Sequence, residues 1–274
     1  MQFDKYMEAN RLNWEDRVDA HTAGPNESYD IDAFLAGEST LLDVELEELG
    51  DVSGKRLLHL MCHFGMDTLC LWRLGARVTG VDFSEKAIGW AKKLAQKIES
   101  DAEFICANVY ELPSQLCGKF DIVYISYGVL CWLPDIDRLM DIAARCLKPG
   151  GLFCLIDGHP LIQMYEYDPQ KKDLHICYPY FYSESPMEEI ATASYANASH
   201  SLQNQRTYEW SHDLGGVVNA AIRAGLRVAS LQEYPFGFWQ RYPHMVRDEK
   251  GHWLLPEDSP SLPIMYSLTA RKEE

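Results

Sequence analysis

The sequence predicts an α/β fold in which helices cover both faces of a doubly wound, mostly parallel sheet. Short apolar runs with strand character alternate with segments of helical periodicity over most of the 274 residues. Arg56–Met61 and Arg77–Val81 are predicted to be the first two strands, and Asp67–Leu74 the helix between them. Phe120–Ser126 is almost continuously apolar, which is typical of a parallel strand buried on both faces. The chain therefore begins its sheet with a βαβ unit and extends it with further βα units.

The same signals place the other elements along a single domain, residues 1–274, whose first 50 residues are predicted to form a helical lid. Four more strands follow from apolar runs bounded by turn residues, and these are Ala102–Ala107, Leu152–Asp157, Arg227–Glu233 and Ile264–Arg271. Helical periodicity with capping residues predicts the helices Phe3–Ala20, Thr40–Leu49, Ser84–Glu99, Asp135–Leu147 and Asp213–Ala224.

The first βαβ unit has the order of a nucleotide-binding motif, which is strand, tight loop, helix, strand and acid. Asp82 follows the start of the loop by about 20 residues, the offset at which an acid reaches ribose hydroxyls. The loop Met61–Gly65 has one glycine, whereas a pyrophosphate site needs G-x-G-x-x-G so that backbone can approach the phosphates. The unit therefore favours a ligand that has ribose and adenine but no phosphate, and S-adenosylmethionine is such a ligand.

The segment HLMCHFGMDTLCLWRLGARVTGVDFS resembles the motif I and II region of a bacterial branch of the class I (seven-strand) S-adenosylmethionine-dependent methyltransferases, in which HLxCHFGxDTL replaces the glycine-rich motif I. FDIVYISYGVLCWLPDIDRL, RTYEWSHDLGGVVNA and PIMYSLTARK are similar to the same branch. The resemblance implies a Rossmann-like sheet of order 3-2-1-4-5-7-6 with strand 7 antiparallel. It also implies methyl transfer from S-adenosylmethionine, with S-adenosylhomocysteine as product. His59, Met61 and His63 stand where the wider family has an acid and two glycines.

On this resemblance, the cofactor residues come from the lid helix and from the ends of four strands. Asp82 is expected to hold the ribose, Phe83 to flank adenine, and Asn108 to meet the edge of adenine. The loop after the first strand is expected to lie against the methionine portion. The predicted cofactor-binding residues are Trp14, Met61, Cys62, His63, Gly65, Asp82, Phe83, Asn108, Val109, Tyr110 and Ser126. The alternatives are that Trp14 anchors its helix to the core and that Asp82 caps the helix that follows it.

Two connections are longer than the fold requires, and both are rich in aromatic residues. Residues 158–211 follow strand five and are predicted to form a substrate cap, because ligands bind outside the carboxyl ends of strands in open α/β sheets. Pro235–Pro263 joins the last two strands. A homodimer interface or simple packing is the alternative for these aromatic side chains.

His159 and His212 border the predicted cap and are the candidate general bases, while Tyr127 is a candidate for orienting the substrate. Ser126-Tyr127-Gly128-Val129 stands where enzymes that methylate amide or nucleobase amino groups often carry N/D-P-P-Y/F. Oxygen, sulfur, aliphatic nitrogen and carbon acceptors remain open. His59 and His63 have no evident third ligand, so the sequence predicts no metal site.

The net charge of −16 disfavours a nucleic acid substrate and an anionic membrane surface. No apolar run approaches the roughly 18 residues that span a membrane. The eight cysteines form no C-x-x-C pair, a pattern typical of reduced thiols in a cytoplasmic protein. A small-molecule methyltransferase is therefore the leading hypothesis. The alternatives are a non-catalytic protein that binds S-adenosylmethionine or S-adenosylhomocysteine, and a nicotinamide-dependent oxidoreductase.

Overall fold

The computed structural model describes residues 3–23, 29–168, 173–257 and 259–273. The helices in these ranges are α1 (Asp4–Thr22), α2 (Ile31–Ala36), α3 (Asp43–Leu49), α4 (Met66–Arg73), α5 (Glu85–Lys97), α6 (Ile136–Cys146), α7 (Pro160–Gln163) and α8 (Leu214–Arg223). The first strands are β1 (Arg56–Leu60), β2 (Arg77–Asp82), β3 (Glu103–Cys106), β4 (Phe120–Ser126) and β5 (Leu147–Gly158). They are followed by β6 (Tyr165–Asp168), β7 (Asp173–Ile176), β8 (Met187–Ile190), β9 (Ala193–Ser194), β10 (Asn197–Ser201) and β11 (Arg206–Glu209). The last are β12 (Leu226–Tyr234), β13 (Phe236–Gly237), β14 (Val246–Arg247), β15 (Trp253–Leu254) and β16 (Met265–Lys272). None of the described helices is both long enough and apolar enough to span a bilayer.

The main sheet has seven strands in the order β12-β16-β5-β4-β1-β2-β3. Counted along the chain, this is 3-2-1-4-5-7-6, and β16 is antiparallel to both of its neighbours. The predicted fold class and strand order are therefore confirmed. Alternate residues of β4 serve two cores: Val123 and Ile125 pack with α6 and α8, while Ile122 and Tyr124 pack with α3 on the other face. This two-sided burial explains the almost uninterrupted apolar run of β4.

Two predicted boundaries differ from the structure for local reasons. The turn Lys148–Gly151 lies inside β5 as a bulge, because Phe120 pairs with Leu147 whereas Ile122 pairs with Leu152. The helix predicted from Thr40 begins at Asp43 instead. The Thr40 hydroxyl donates to Asp67 rather than capping that helix (2.5 Å).

The buried face of α1 is mostly polar, whereas the spacing of its apolar residues in the sequence predicts an apolar face. Asn10 and Asn13 are fully buried. The Asn10 amide donates to the Tyr208 carbonyl (2.7 Å) and accepts from the Tyr208 N–H (2.8 Å), so it pairs with β11 as a neighbouring strand would. Asn13 donates to the carbonyl of Asn204 (2.6 Å). The helix is thus held on the long insertion by hydrogen bonds to backbone rather than by an apolar stripe.

The two long connections carry small sheets of their own. The insertion after β5 contains α7, the pair β6–β7, the pair β8–β11 and, between those last two strands, the pair β9–β10. The connection after β12 contains the three-stranded sheet β13-β15-β14. Tyr242 of this second connection donates to the carbonyls of Ile162 and Tyr165 (2.9 and 3.0 Å). This buried phenol therefore ties the two insertions together.

Gly65→Ala is expected to destabilise the protein by about 3 kcal/mol. Gly65 has φ +80°, and a Cβ built there would lie 2.6 Å from the Phe104 ring and 3.0 Å from Ala91 Cβ. A left-handed backbone costs a non-glycine residue about 1–2 kcal/mol, and overpacking a core about 1–3 kcal/mol. Urea unfolding measures the loss. The matched control is Gly89→Ala in α5, where nothing lies within 4 Å of the added Cβ and a gain of about 0.5–1 kcal/mol is expected. Equal stability of the two variants would contradict the predicted clash.

Candidate active site

A cavity of about 1630 Å³ opens at the carboxyl ends of the parallel strands, between the sheet, α1 and the two insertions. Ligand pockets usually occupy about 300–1,000 Å³, so this space is large enough for two ligands side by side. The structure brings most of the predicted residues to its wall, and these are Trp14, Met61, Cys62, His63, Gly65, Asp82, Phe83, Asn108, Val109, Ser126 and Tyr127. The candidate site is therefore one continuous space shared by the strand ends, the lid helix and the insertions.

Three predicted residues lie away from that wall. The Tyr110 hydroxyl exchanges hydrogen bonds with the backbone of Asp135 and so fixes the start of α6. Both nitrogens of His159 are engaged, Nε2 with Glu233 (2.8 Å) and Nδ1 with the N–H of Leu161 (3.0 Å).

The third of these residues, His212, is also absent from the cavity wall, although the preceding Ser211 is part of it. Its Nε2 lies 2.7 Å from the carbonyl of Leu133, and its ring is stacked on Tyr182. Both candidate bases, His159 and His212, are buried beside loops that they support. Neither imidazole is among the groups that line the cavity.

Asp82 ends β2 with its carboxylate at the cavity wall and only 7% exposed. Its two oxygens accept the N–H groups of His63 (2.8 Å) and Ser84 (2.9 Å). Burial raises the pKa of this carboxyl from 3.8 to about 6, against the lowering effect of the two N–H bonds. Each carboxylate oxygen has a second lone pair, so Asp82 can still accept two hydroxyl hydrogens from a ligand. Asp82 can therefore fix the start of α5 through the Ser84 N–H and still bind a ligand.

The loop between β1 and α4 has positive φ at three positions where a glycine-rich loop has glycine, although only one of the three residues is a glycine. Met61, His63 and Gly65 all have positive φ, at 54°, 50° and 80°. These three positions are spaced two apart, as the glycines are in the motif that the loop resembles. A left-handed conformation costs about 1–2 kcal/mol at a non-glycine residue, and such strain is concentrated at functional sites. The shape of the loop has thus been kept although two of its residues are larger.

A chain of buried polar groups joins that loop to the lid helix and to the insertion. His63 Nε2 lies 2.8 Å from His21 Nδ1, and His21 Nε2 lies 2.7 Å from the Ser194 hydroxyl. Burial lowers the pKa of His21 to about 2 and that of His63 to about 3. Both imidazoles are neutral at pH 7, so one ring can donate to the other. The contact therefore ties the loop to α1 and, through Ser194, to β9.

A third buried imidazole, His59, gives a prediction for acid stability. It lies between the hydroxyls of Thr68 (2.8 Å) and Ser126 (3.1 Å), and burial lowers its pKa from 6.5 to about 3. Between those two pH values the unfolded chain binds a proton that the folded protein does not, so His59 lowers stability as pH falls below 6.5. His59→Gln is expected to remove about 1.4 kcal/mol of this loss for each pH unit below 6.5.

The comparison for His59→Gln must be made with the wild type at each pH. Glu45 has its pKa raised to about 8 by burial, and that shift makes folding more favourable as pH falls from 8 towards 4.5, the opposite sign. The difference between the two urea unfolding curves, measured at pH 7.5 and pH 5, isolates the histidine. Parallel pH profiles for variant and wild type would show that folding does not lower the pKa of His59, and would contradict this prediction.

The cavity wall also includes charged residues that the sequence did not point to, and Arg17 and Glu209 are two of them. Arg17 of α1 is 8% exposed, and its guanidinium lies 5.2 Å from the Trp14 ring and 5.7 Å from the Trp132 ring. Glu209 ends β11 and faces the same cavity. The following N–H, of Trp210, donates to the Cys131 carbonyl (2.8 Å), which holds this end of β11 on the loop after β4. Both residues lie in segments with ordinary helix or strand patterns, so only the packing reveals them.

Burial and the neighbouring charges bring the pKa of Glu209 close to neutral pH. Burial and the neighbouring Glu189 raise the pKa of Glu209 to about 7, while Arg17 and Arg241 oppose the rise. A carboxyl with this pKa exchanges a proton at physiological pH. The arrangement is therefore suited to general base chemistry on a molecule bound between the insertions.

Residues 58–155 match the family model described as a methyltransferase domain. The match covers little more than a third of the 274 residues. The matched segment runs from β1 into β5 and contains Asp82, Asn108 and Ser126. Helix α1 and both insertions lie outside it, so the match includes neither Arg17 nor Glu209.

Two curated relatives are each similar to less than half of the chain. Demethylmenaquinone methyltransferase of Lactococcus lactis is 35% identical over 126 residues, which cover 44% of this chain and 49% of the relative. Ubiquinone biosynthesis O-methyltransferase of Dechloromonas aromatica is 32% identical over 106 residues, which cover 39% of this chain and 45% of the relative. The chain thus spans about half the length of the curated relatives it matches.

A solved structure extends the likeness in fold beyond the methyltransferase domain. The S-adenosylmethionine-dependent methyltransferase of Mesorhizobium loti superposes with a TM-score of 0.61 at 21% identity. The superposition covers 86% of this chain and 99% of that one. At this identity the likeness concerns the fold, and it includes most of the chain outside residues 58–155.

Proposed function

We propose that this protein transfers the methyl group of S-adenosylmethionine to a small-molecule acceptor and releases S-adenosylhomocysteine. The observation that carries the proposal is Asp82, a buried carboxylate with free lone pairs at the end of β2, beside a loop that keeps the backbone of a glycine-rich motif. The family match of residues 58–155 and the names of the relatives support the same activity.

The cofactor would lie across the ends of β1, β2 and β4. Asp82 would accept the two ribose hydroxyls, and Phe83 would flank adenine. The Asn108 side-chain oxygen already accepts the N–H of Tyr110 (3.0 Å), which leaves its NH₂ group to donate to an adenine ring nitrogen. The loop Met61–Gly65 would border the methionine portion, and Ser126 the donated methyl. This placement uses only side chains and backbone that line the cavity.

The acceptor would lie between the insertions, with Glu209 as the group that takes its proton. Its nucleophilic atom must lie about 3 Å from the methyl carbon and in line with the S–C bond. As the new bond to carbon forms, the S–C bond breaks and its electron pair returns to sulfur. The proton of the acceptor passes to the Glu209 carboxylate. Trp14 and Arg17 on α1 would close the site against water.

The acceptor side of the cavity suggests an aromatic small molecule that carries an acidic proton. Aromatic side chains face it from both insertions, and among them are Tyr165, Tyr178, Tyr195, Trp210, Trp239, Tyr242 and Trp253. Flat rings stack on such faces. The names of the relatives concern menaquinone and ubiquinone, which fits an aromatic acceptor. All eight cysteines are free thiols, which supports a cytoplasmic location.

Calorimetry with S-adenosylhomocysteine tests the cofactor, and transfer of labelled methyl to a panel of phenols, catechols, thiols and amines tests the reaction. We expect one molecule of S-adenosylhomocysteine per chain and no binding of NAD. Absence of S-adenosylhomocysteine binding up to millimolar ligand would overturn the proposal. Binding without transfer to any acceptor would favour a non-catalytic binding protein.

A further inference from the structure

The hairpin β6–β7 in the first insertion carries a compact set of metal-ligating side chains. Glu166, His175 and Cys177 each offer one ligand atom, and these atoms all lie within 4.8 Å of one another. Cys177 Sγ lies 3.5 Å from Glu166 Oε2. All three side chains are exposed to solvent, so an ion can reach them without any opening of the fold.

The ladder of the hairpin explains why the three side chains share a face. Glu166 is directly opposite His175 in the antiparallel register, and opposed residues project to the same side of the sheet. Cys177 lies two residues after His175, which returns it to that side. The Cys177 N–H donates to the carbonyl of Met164 (2.8 Å), so the strand pairing continues to this residue. The cluster is thus built by regular backbone pairing.

The donor set selects the metal. An imidazole, a thiolate and a carboxylate together are ligands of Zn²⁺, whereas Ca²⁺ and Mg²⁺ take oxygen ligands. Zinc binds these groups at about 2.0–2.3 Å in a tetrahedron, which requires ligand atoms roughly 3.3–3.8 Å apart. The present spacing is close enough for side-chain rotation alone to complete the geometry. The Tyr178 hydroxyl lies 3.4 Å from the other oxygen of Glu166 and can hold that carboxylate in place.

We propose that Glu166, His175 and Cys177 form a Zn²⁺ site with water as the fourth ligand. The thiol of Cys177 loses its proton to solvent as the Zn–S bond forms. Glu166 and Tyr178 also line the large cavity, so the ion lies at its rim on the acceptor side. The site does not depend on the methyltransferase assignment. The pair His59 and His63 suggested no metal site, whereas the H-x-C pattern of His175 and Cys177 at the end of β7 is the sequence signal for this one.

Titration of the full chain, freed of any histidine tag and of metal, tests this site with Co²⁺ and Zn²⁺ alone. Co²⁺ is expected to give the near-ultraviolet thiolate charge-transfer band and the visible bands of tetrahedral cobalt at about one ion per chain, and Zn²⁺ to displace it. Cys177→Ser should abolish the charge-transfer band, and His175→Asn should weaken binding at least tenfold, since even groups behind the ligands are worth about 10–100-fold.

Cys117→Ser is the matched control, because Cys117 is also an exposed free thiol but lies outside the cluster. It should leave affinity and spectrum unchanged. Circular dichroism of the apo forms checks that every variant is folded. A charge-transfer band that persists in Cys177→Ser, or no stoichiometric binding at micromolar metal, would overturn the proposal. Neither result would bear on S-adenosylhomocysteine binding, so failure here and failure of the proposed function are distinguishable.

Discussion

Asp82→Ala is expected to weaken binding of S-adenosylhomocysteine by about 100-fold or more. The two ribose hydroxyls would lose a charged acceptor, and a hydrogen bond to a charged group is worth about 1.5–3 kcal/mol. Two such bonds correspond to about two to four factors of ten in Kd. Isothermal titration of the purified variant measures the loss. The effect should be large because Asp82 is only 7% exposed. Water has little access to this position, so it cannot readily replace the hydrogen bonds that the ribose loses.

Two variants separate ligand binding from folding. Asp82→Asn keeps one oxygen acceptor and should bind with intermediate affinity. Asp121→Asn alters another carboxylate of the sheet, which accepts the Arg56 N–H (2.8 Å) at the opposite ends of β1 and β4, and should bind like the wild type. If Asp82→Ala is folded by circular dichroism and binds S-adenosylhomocysteine normally, the proposed cofactor placement is wrong.

Glu209→Gln is expected to lower kcat/KM for the methyl acceptor by about 10²–10⁴, the usual contribution of a general base. S-adenosylhomocysteine should bind this variant as it binds the wild type, because Glu209 lies on the acceptor side. The pKa of Glu209 is about 7 in the folded protein, and the base acts when deprotonated. Wild-type kcat/KM should therefore rise tenfold per pH unit up to about pH 7 and then level off, whereas the Gln variant should lack this limb.

The matched control for Glu209 is Glu188→Gln on β8, the strand that pairs with β11. Glu188 pairs with Tyr208 in the register and forms an ion pair with Arg206 at the surface, so it points away from Met187 and Glu209. Its substitution should leave kcat/KM and the pH profile unchanged. An acceptor-dependent rate that is equal in Glu209→Gln and wild type would show that the acceptor needs no base at this position.

The sequence was sufficient to predict the sheet and to place Asp82 at the end of β2, where it lines the cavity. Strand identity came from apolar runs, because strands buried on both faces need apolar residues at nearly every position, as β4 does. Asp82 could be placed because its position depends on one short βαβ unit, in which strand, loop and helix are neighbours along the chain. The strand order came from the resemblance, and the register confirms it.

The part of the cavity that we propose for the acceptor is built by contacts between residues far apart in the sequence. Asn10 bonds the backbone of Tyr208, which is 198 residues away, and this contact sets α1 against the strand that carries Glu209. The candidate bases His159 and His212 lie beside the insertion, and each is hydrogen-bonded to the backbone of a loop rather than lining the cavity.

The sequence by itself therefore determined the seven-stranded scaffold and the carboxylate at the end of β2, because local periodicity and short spacing encode both. Only the tertiary structure decided which charged groups face the cavity. The position of a buried polar side chain depends on the group with which it forms a hydrogen bond. Here those groups lie on segments far apart in the sequence, so the sequence alone does not predict the contacts.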